Sequence, residues 1–225
     1  MSTVDELAQY LVTLLGAHEK SRRIIVAVAG GPGSGKSYIS QLVCQAINKE
    51  DDIAVVVPMD GFHLPVSQLL AMEDPEHAMR RRGAPWTFDA KGFVAAVARI
   101  RNGSSSNAVL VPAFDHAAGD PMFDAIAVSP HHRIVLVEGL YAHVNEEPWS
   151  QVGQGLADEL WWIQPADAAA SYERLVQRHI AAGFAPDRKG AEARIASNDA
   201  LNGAYAEQTR LTATRTAIVL AMAPS

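Results

Sequence analysis

Lys36 and Ser37 close a glycine-rich run, Gly30-Gly31-Pro32-Gly33-Ser34-Gly35-Lys36-Ser37, that fits G-x-x-x-x-G-K-[ST]. Glycines permit positive φ and leave backbone N–H groups free to surround phosphate oxygens. A helix starting at Lys36 would direct its N-terminus at the same anion. Gly31, Gly33, Ser34, Gly35 and Lys36 are thus candidate contacts to ATP. Lys36 would supply a point charge to the β- and γ-phosphates, and the Ser37 hydroxyl a ligand for Mg²⁺. The bland alternative is a structural turn. The apolar run before the glycines and the helical pattern after them argue for a phosphate loop.

Two carboxylates follow apolar runs. Asp60 lies in Pro58-Met59-Asp60-Gly61-Phe62-His63, and Glu138 in Val137-Glu138-Gly139. Ligands of open α/β sheets lie beyond the carboxyl ends of strands. One acid can serve Mg²⁺ while the other takes the proton of a substrate hydroxyl. Asp60 is the expected base, and Glu138 joins Ser37 at the metal; for Asp60 the alternative is a turn-forming Asp before Gly. Arg174 and Arg178 are four apart and share one helix face. Their planar groups suit bidentate phosphate contacts, with Arg178 spreading charge in the transition state. Pairing with Glu173 or Asp167 is the alternative, and Arg188, beyond Gly183-Phe184-Ala185-Pro186-Asp187, could also reach phosphate from a lid. His63 and His116 neighbour candidate carboxylates where substrate hydroxyls would lie, or are structural histidines. Arg82 could hold an anionic substrate, whereas Arg80 reads as surface charge.

Other signals read as structure. Asn48-Lys49-Glu50-Asp51 and Asp89-Ala90-Lys91-Gly92 imitate guanine-reading motifs but stand in the wrong places for them. His131-His132 lacks a third ligand at zinc spacing and reads as loop. Cys44 reads as a packed small hydrophobe, and Trp161 and Trp162 as core. Asn198, Asp199 and Asn202 are polar helix-end residues that could frame the nucleotide or the lid.

The elements needed to position these groups alternate along the chain. Apolar strands are expected at 24–29, 53–59, 109–114, 133–137, 159–163 and 217–222, with a short hairpin piece at 125–128. Helices are expected at 36–48, 90–101 and 166–182, and an N-terminal amphipathic helix within 1–22. Continuous apolar strands separated by helices predict a doubly wound, mostly parallel α/β sheet covered on both faces. The 225 residues are expected to form one domain with a small helical lid at about 179–200. A net charge of −6 speaks against a nucleic-acid binder. The lack of a long apolar run excludes a spanning helix. The single Cys and the acidic N-terminus, unlike a targeting peptide, fit a cytoplasmic protein. Exposed helices leave room for a homodimer.

The chain resembles the P-loop kinases of the uridine kinase, phosphoribulokinase and pantothenate kinase superfamily. Met59-Asp60-Gly61-Phe62-His63, Arg82-Gly83-Ala84-Pro85-Trp86-Thr87-Phe88-Asp89 and Pro112-Ala113-Phe114-Asp115-His116 carry the likeness, with Val137-Glu138-Gly139 and the segment from Arg174 to His179. Within it the chain is most similar to bacterial fructose-transport-system kinases and the nucleoside/nucleotide kinase family. The resemblance implies a P-loop NTPase fold and transfer of the γ-phosphoryl of ATP to a hydroxyl of a small metabolite. It implies that Asp60 is catalytic, that Asp89, Asp115 and His116 approach the acceptor, and that Arg174 and Arg178 lead into the lid. A sugar is the first acceptor implied. A nucleoside or pantothenate, and a slow ATP-hydrolysing regulator, are the alternatives. Gly61-Phe62-His63 departs from uridine kinases, which have a Ser-Phe-Tyr type of sequence there.

Overall fold

Thr3 and Glu6 begin the first helix, α1 (Val4–Gly16), with a capping box: each side chain accepts the backbone N–H of the other. The computed structural model describes residues 3–19, 22–103 and 107–219. β1 (Ile24–Ala29), buried at every position, runs straight into the glycine-rich loop and α2 (Lys36–Asn48). β2 (Ala54–Pro58) ends in a 3₁₀ turn, Met59–Phe62. Short helices α3 (Val66–Leu70) and α4 (Pro75–Arg80) follow, then α5 (Ala90–Asn102). β3 (Val109–Asp115) and β4 (Asp120–Val128) precede β5 (Ile134–Glu138) and β6 (Glu159–Pro165). The chain continues through α6 (Ala168–Ala181), α7 (Arg188–Arg194), a π turn (Ile195–Asp199), α8 (Ala200–Thr209) and β7 (Arg215–Val219).

Five strands form a parallel sheet in the order β2-β5-β1-β6-β7. The alternation along β1 assigns its two faces. Ile24, Val26 and Val28 pack with Leu7, Leu11, Val43 and Ile47 of α1 and α2. Ile25, Ala27 and Ala29 pack with Phe93, Val97 and Ile100 of α5 and with Tyr141 and Trp149. Helices therefore cover both faces, as the continuous apolar strands predict. From β1 the chain passes to β2 on one side, returns through β5, and crosses to β6 on the other. The carboxyl end of β1 is thus the switch point where a crevice opens. Trp161 and Trp162 fall on opposite faces, both in the core.

One predicted strand lies elsewhere. Residues 109–114 do form a strand, but β3 leaves the parallel sheet and pairs antiparallel with β4. Pro112 gives no ladder donor, which confines its strand to an edge, and the register shifts between Val111 and Ala113. β4 runs longer than the expected 125–128 because Met122 and Phe123 face outward and leave no core periodicity. The last strand begins at Arg215, paired with Trp161, earlier than the expected 217; residues 220–222 lie outside the described ones.

The hairpin seats directly on the turn after β2. A Cβ at Gly61 would lie 2.2 Å from the Pro112 carbonyl oxygen. The Asp60-Gly61 pair is therefore read twice, Asp60 for its carboxylate and Gly61 for close approach. Gly61→Ala is expected to destabilise the protein by about 1–3 kcal/mol through overpacking against backbone. Urea denaturation checks this, and an unchanged midpoint would contradict the contact.

Candidate active site

The loop between β1 and α2 has two glycines with positive φ, Gly33 at 74° and Gly35 at 89°. Gly30 is held equally tightly, since a Cβ there would meet the Ile163 carbonyl oxygen at 2.5 Å. Behind the loop stands α6. Its Ser171 hydroxyl donates to the Gly33 carbonyl at 2.6 Å, and Asp167 caps the helix by accepting the N–H groups of Ala169 and Ala170. Arg174 and Arg178 follow Ser171 at three and seven residues, spacings that share a helix face. Both line a cavity of about 320 Å³ with Gly33, Gly35, Lys36, Ser37 and Tyr38.

Neither guanidinium nor the Lys36 ammonium makes a salt bridge or side-chain hydrogen bond among the described residues. The partners that could have neutralised the arginines are engaged elsewhere. Asp167 is the helix cap, and Glu173 accepts from Gln177 and pairs with Arg188. Arg188 is bound in that pair and by Glu192, so it does not reach the loop. Arg174 and Arg178, without an acidic partner among the described residues, thus share one cavity with Lys36, whose charge also acts on the buried Glu138, and such a cavity has the charge to suit a polyanion.

The carboxylates arrive from β2 and β5. Pro58 and Glu138 are register partners, so both strands end at the same level. Burial pushes the Glu138 carboxyl up to about 7; Lys36 holds it down, nearby Asp60 raises it further, and a hydrogen bond from Ser37 lowers it. Lys36, Ser37, Asp60 and Glu138 therefore form one electrostatic cluster. Its oxygen donors, a hydroxyl and two carboxylates, suit a hard divalent cation held jointly with phosphate. Asp60 itself is exposed and free to meet a second ligand.

Beyond Asp60 lie the remaining predicted residues. His63 donates from Nδ1 to the Asp60 carbonyl at 2.8 Å and lies between the rings of Phe88, 4.0 Å away, and Phe114, 4.9 Å away. Burial keeps its pKa below the usual histidine value. His116 packs edge-on against Phe114. Arg82 donates to the Gly119 and Leu64 carbonyls and pairs with Asp120 at 2.9 Å, which ties its loop to the hairpin. Asp89 is the N-cap of α5, accepting the Gly92 N–H at 2.8 Å. Asp115 shapes the hairpin turn by accepting the Ala118 and Ala117 N–H groups, which hold its carboxyl below the usual range.

Asn48 confirms that its motif is structural. Its amide bonds Ile53 and Ala54, pinning the end of α2 to β2. At the amino ends of the strands, far from the loop, Asp52 stands 3.7 Å from His131. With His132 they bring three potential metal ligands within reach of one another. His132 already accepts the Ser129 N–H at Nδ1, 3.0 Å away.

A second cavity, about 630 Å³, opens on the other side of the loop. Trp162, Ile163, Pro165, Tyr172 and Leu175 give it an apolar wall, while α8 contributes Ala200, Gly203 and Ala204. The buried Ser34 hydroxyl, without a partner among the described residues, lines it as well. Nothing in the sequence announces this cavity except the small residues of α8, which carry no periodic signal.

Residues 25–164 match the model of the Phosphoribulokinase / Uridine kinase family. An ATP-dependent kinase-like protein from Aspergillus versicolor, notR', is 46% identical over 155 residues, 68% of this chain and 89% of its own length. A candidate uridine kinase from Schizosaccharomyces pombe is 36% identical over 217 residues, 94% of this chain and 88% of its own. Among solved structures, a candidate fructose transport system kinase from Silicibacter sp. TM1040 has a TM-score of 0.81 at 32% identity, over 96% of this chain and 99% of that one. The chain belongs to the phosphoribulokinase/uridine kinase family.

The Glu138 environment has a measurable consequence. Its carboxyl rises from 4.5 to about 7 on folding, so the folded state binds more protons than the unfolded one across that window. Stability of the ligand-free protein therefore falls as pH rises through the window. Glu138→Gln is expected to remove this slope, becoming more stable relative to wild type from pH 5 to 7.5. Parallel stability profiles for the two proteins would contradict the assignment.

Proposed function

We propose that this small-molecule kinase binds ATP across the glycine-rich loop and hands its γ-phosphoryl to an acceptor hydroxyl presented at Asp60. The supporting observation is the set of three cations around one cavity, Arg174 and Arg178 without an acidic partner among the described residues and Lys36 within the electrostatic reach of Glu138, which in turn feels Asp60. The larger apolar cavity across the loop suits the nucleoside half of ATP, and the smaller one its phosphates.

Each residue then has a distinct task. The loop N–H groups and Lys36 hold the β- and γ-phosphates. Asp60 orients the acceptor hydroxyl and takes its proton. Arg178 and Lys36 stabilise the charge spread over the transferring group, which in a loose transition state counts for more than base strength. Ser37 and Glu138 are the residues that would hold Mg²⁺, which when bound neutralises and aligns the phosphate oxygens. His63, Arg82, Asp89, Asp115 and His116 frame the acceptor side, with Arg82 and Asp89 acting through the loop and helix they secure. Helices α6 and α7 serve as the lid that keeps water from the phosphoryl group.

A sugar is the first acceptor we propose, because the structural neighbour from Silicibacter carries the fructose-transport name. A nucleoside is the second, on the strength of the Schizosaccharomyces relative. Among the described residues no helix is long and apolar enough to cross a membrane.

The test is ADP formation with a panel of sugars and nucleosides, with the product identified by mass. Acceptor-stimulated ADP release and a product heavier by one phosphoryl group are expected. Slow ADP release that no acceptor accelerates would instead favour a nucleotide-hydrolysing regulator. Asp60→Asn is expected to lower kcat by about 10²–10⁴ and leave ATP affinity within a few-fold; full activity would remove Asp60 from the mechanism.

A further inference from the structure

Neighbouring residues on α6 serve different partners. Arg178 lines the phosphate cavity, whereas His179 is buried and its Nε2 meets the Asp199 carboxylate at 2.9 Å. Asp199 is the last residue of the π turn between α7 and α8, a kind of helix irregularity that recurs at functional sites. The residue before it, Asn198, is also buried and donates to the Arg82 carbonyl at 2.9 Å. Asn202 donates to the Asn198 side-chain oxygen at 3.3 Å and accepts from Arg81 at 3.0 Å. Arg81 also reaches the Ser197 carbonyl at 2.7 Å.

The loop held in this way belongs to the acceptor side. Arg82 reaches the β3–β4 hairpin through Gly119 and Asp120. The Gly83 carbonyl takes the Tyr141 hydroxyl at 2.6 Å, and the Leu64 N–H donates to the Thr87 carbonyl at 2.9 Å. His63 bridges to Phe88 through the backbone, directly beside Asp60. A hydrogen-bonded series therefore runs from the phosphate-lining helix, through His179, Asp199 and Asn198, to the loop at 81–88 and the turn that carries Asp60. Both asparagines are buried, and a buried amide left without its partner costs about 1–3 kcal/mol. The two ends of the series are thus held in one arrangement.

We infer that Asn198 and Asp199 are positioning residues that lock the acceptor loop 81–88 to the nucleotide-binding helix α6, so that nucleotide binding orders the acceptor side. The inference rests on the nucleotide-site reading proposed above and adds a coupling between its two halves. Such a coupling is reciprocal: an acceptor that orders the loop tightens nucleotide binding by the same factor.

Hydrogen–deuterium exchange of the full chain, with and without Mg²⁺ and a non-hydrolysable ATP analogue, tests it without an identified acceptor. In the wild type the analogue should slow exchange both at 30–37 and at 81–88. Asn198→Asp keeps the side-chain shape and its oxygen for Asn202 but replaces the N–H that faces the Arg82 carbonyl. In that variant protection at 30–37 should persist, while protection at 81–88 falls by at least about fivefold, the lower end of typical couplings. General loosening would raise exchange with and without the analogue alike, so it cannot imitate this result. Should Asn198→Asp fail to fold, Arg81→Met removes the parallel tie of the same loop to Ser197 and Asn202 and is expected to lower protection at 81–88 in the same direction while protection at 30–37 persists. Wild-type exchange at 81–88 that ignores the analogue, or equal protection in wild type and variant, overturns the inference. Absence of protection at 30–37 in the wild type has a different signature: it overturns the nucleotide-site reading, and the inference with it.

Discussion

Ser171 donates its hydroxyl to the Gly33 carbonyl, and much of the site follows from that contact. With glycine at 30, 31, 33 and 35 the loop has few side chains with which to hold a helix, and a hydroxyl from the helix grips the loop backbone at Gly33. A Cβ at Gly33 would come within 3.0 Å of the Ser171 carbonyl oxygen, so the approach also depends on glycine. With Ser171 fixed, the helical repeat delivers Arg174 and Arg178 over the cavity. Leu175, buried between them, packs α6 against α7 and the π turn through Ala191 and Ile195. The positive charge of α6 is in this way attached to the loop by geometry.

Several arginines that build the fold are paired with acids, whereas Arg174 and Arg178 at the cavity have no acidic partner among the described residues. Asp158 takes Arg22 and Arg101 together with the Ile25 N–H, and these bonds hold its carboxyl low despite burial. Arg82 is paired with Asp120, and Arg188 with Glu173 and Glu192. A protein of net charge −6 can therefore still present a locally cationic cavity, because Lys36, Arg174 and Arg178 line the same one. Glu138, by contrast, is raised by burial and by Asp60 more than Lys36 and Ser37 lower it.

The contiguous parts of this arrangement were legible in the sequence. The glycine loop, α2 from Lys36 to Asn48 and the acids closing β2 and β5 are local, and their chemistry is written in adjacent residues. Arg174 and Arg178 were legible as a face. That their candidate partners were already occupied was not, because Arg188 reaches Glu173 across fifteen residues. Arg82 shows the same limit: its motif suggests substrate contact, while its carboxylate partner lies on a hairpin that no periodicity announces. Val109–Asp115 has the composition of a sheet strand, and only pairing partners decide which sheet it joins. The nucleoside-sized cavity was hidden because small residues on α8 signal nothing until another element approaches them.

The central claim is that Lys36, Arg174 and Arg178 form one polyanion site, and the most direct measurement is calorimetric titration of ATP, ADP and AMP. A charge-assisted hydrogen bond contributes about 1.5–3 kcal/mol. Loss of the β- and γ-phosphates is therefore expected to weaken binding by at least about 100-fold. The gap between ATP and AMP should narrow sharply in the Arg174→Ala/Arg178→Ala double variant. Equal affinity for ATP and AMP in the wild-type protein, or a gap untouched by losing both arginines, would contradict the account.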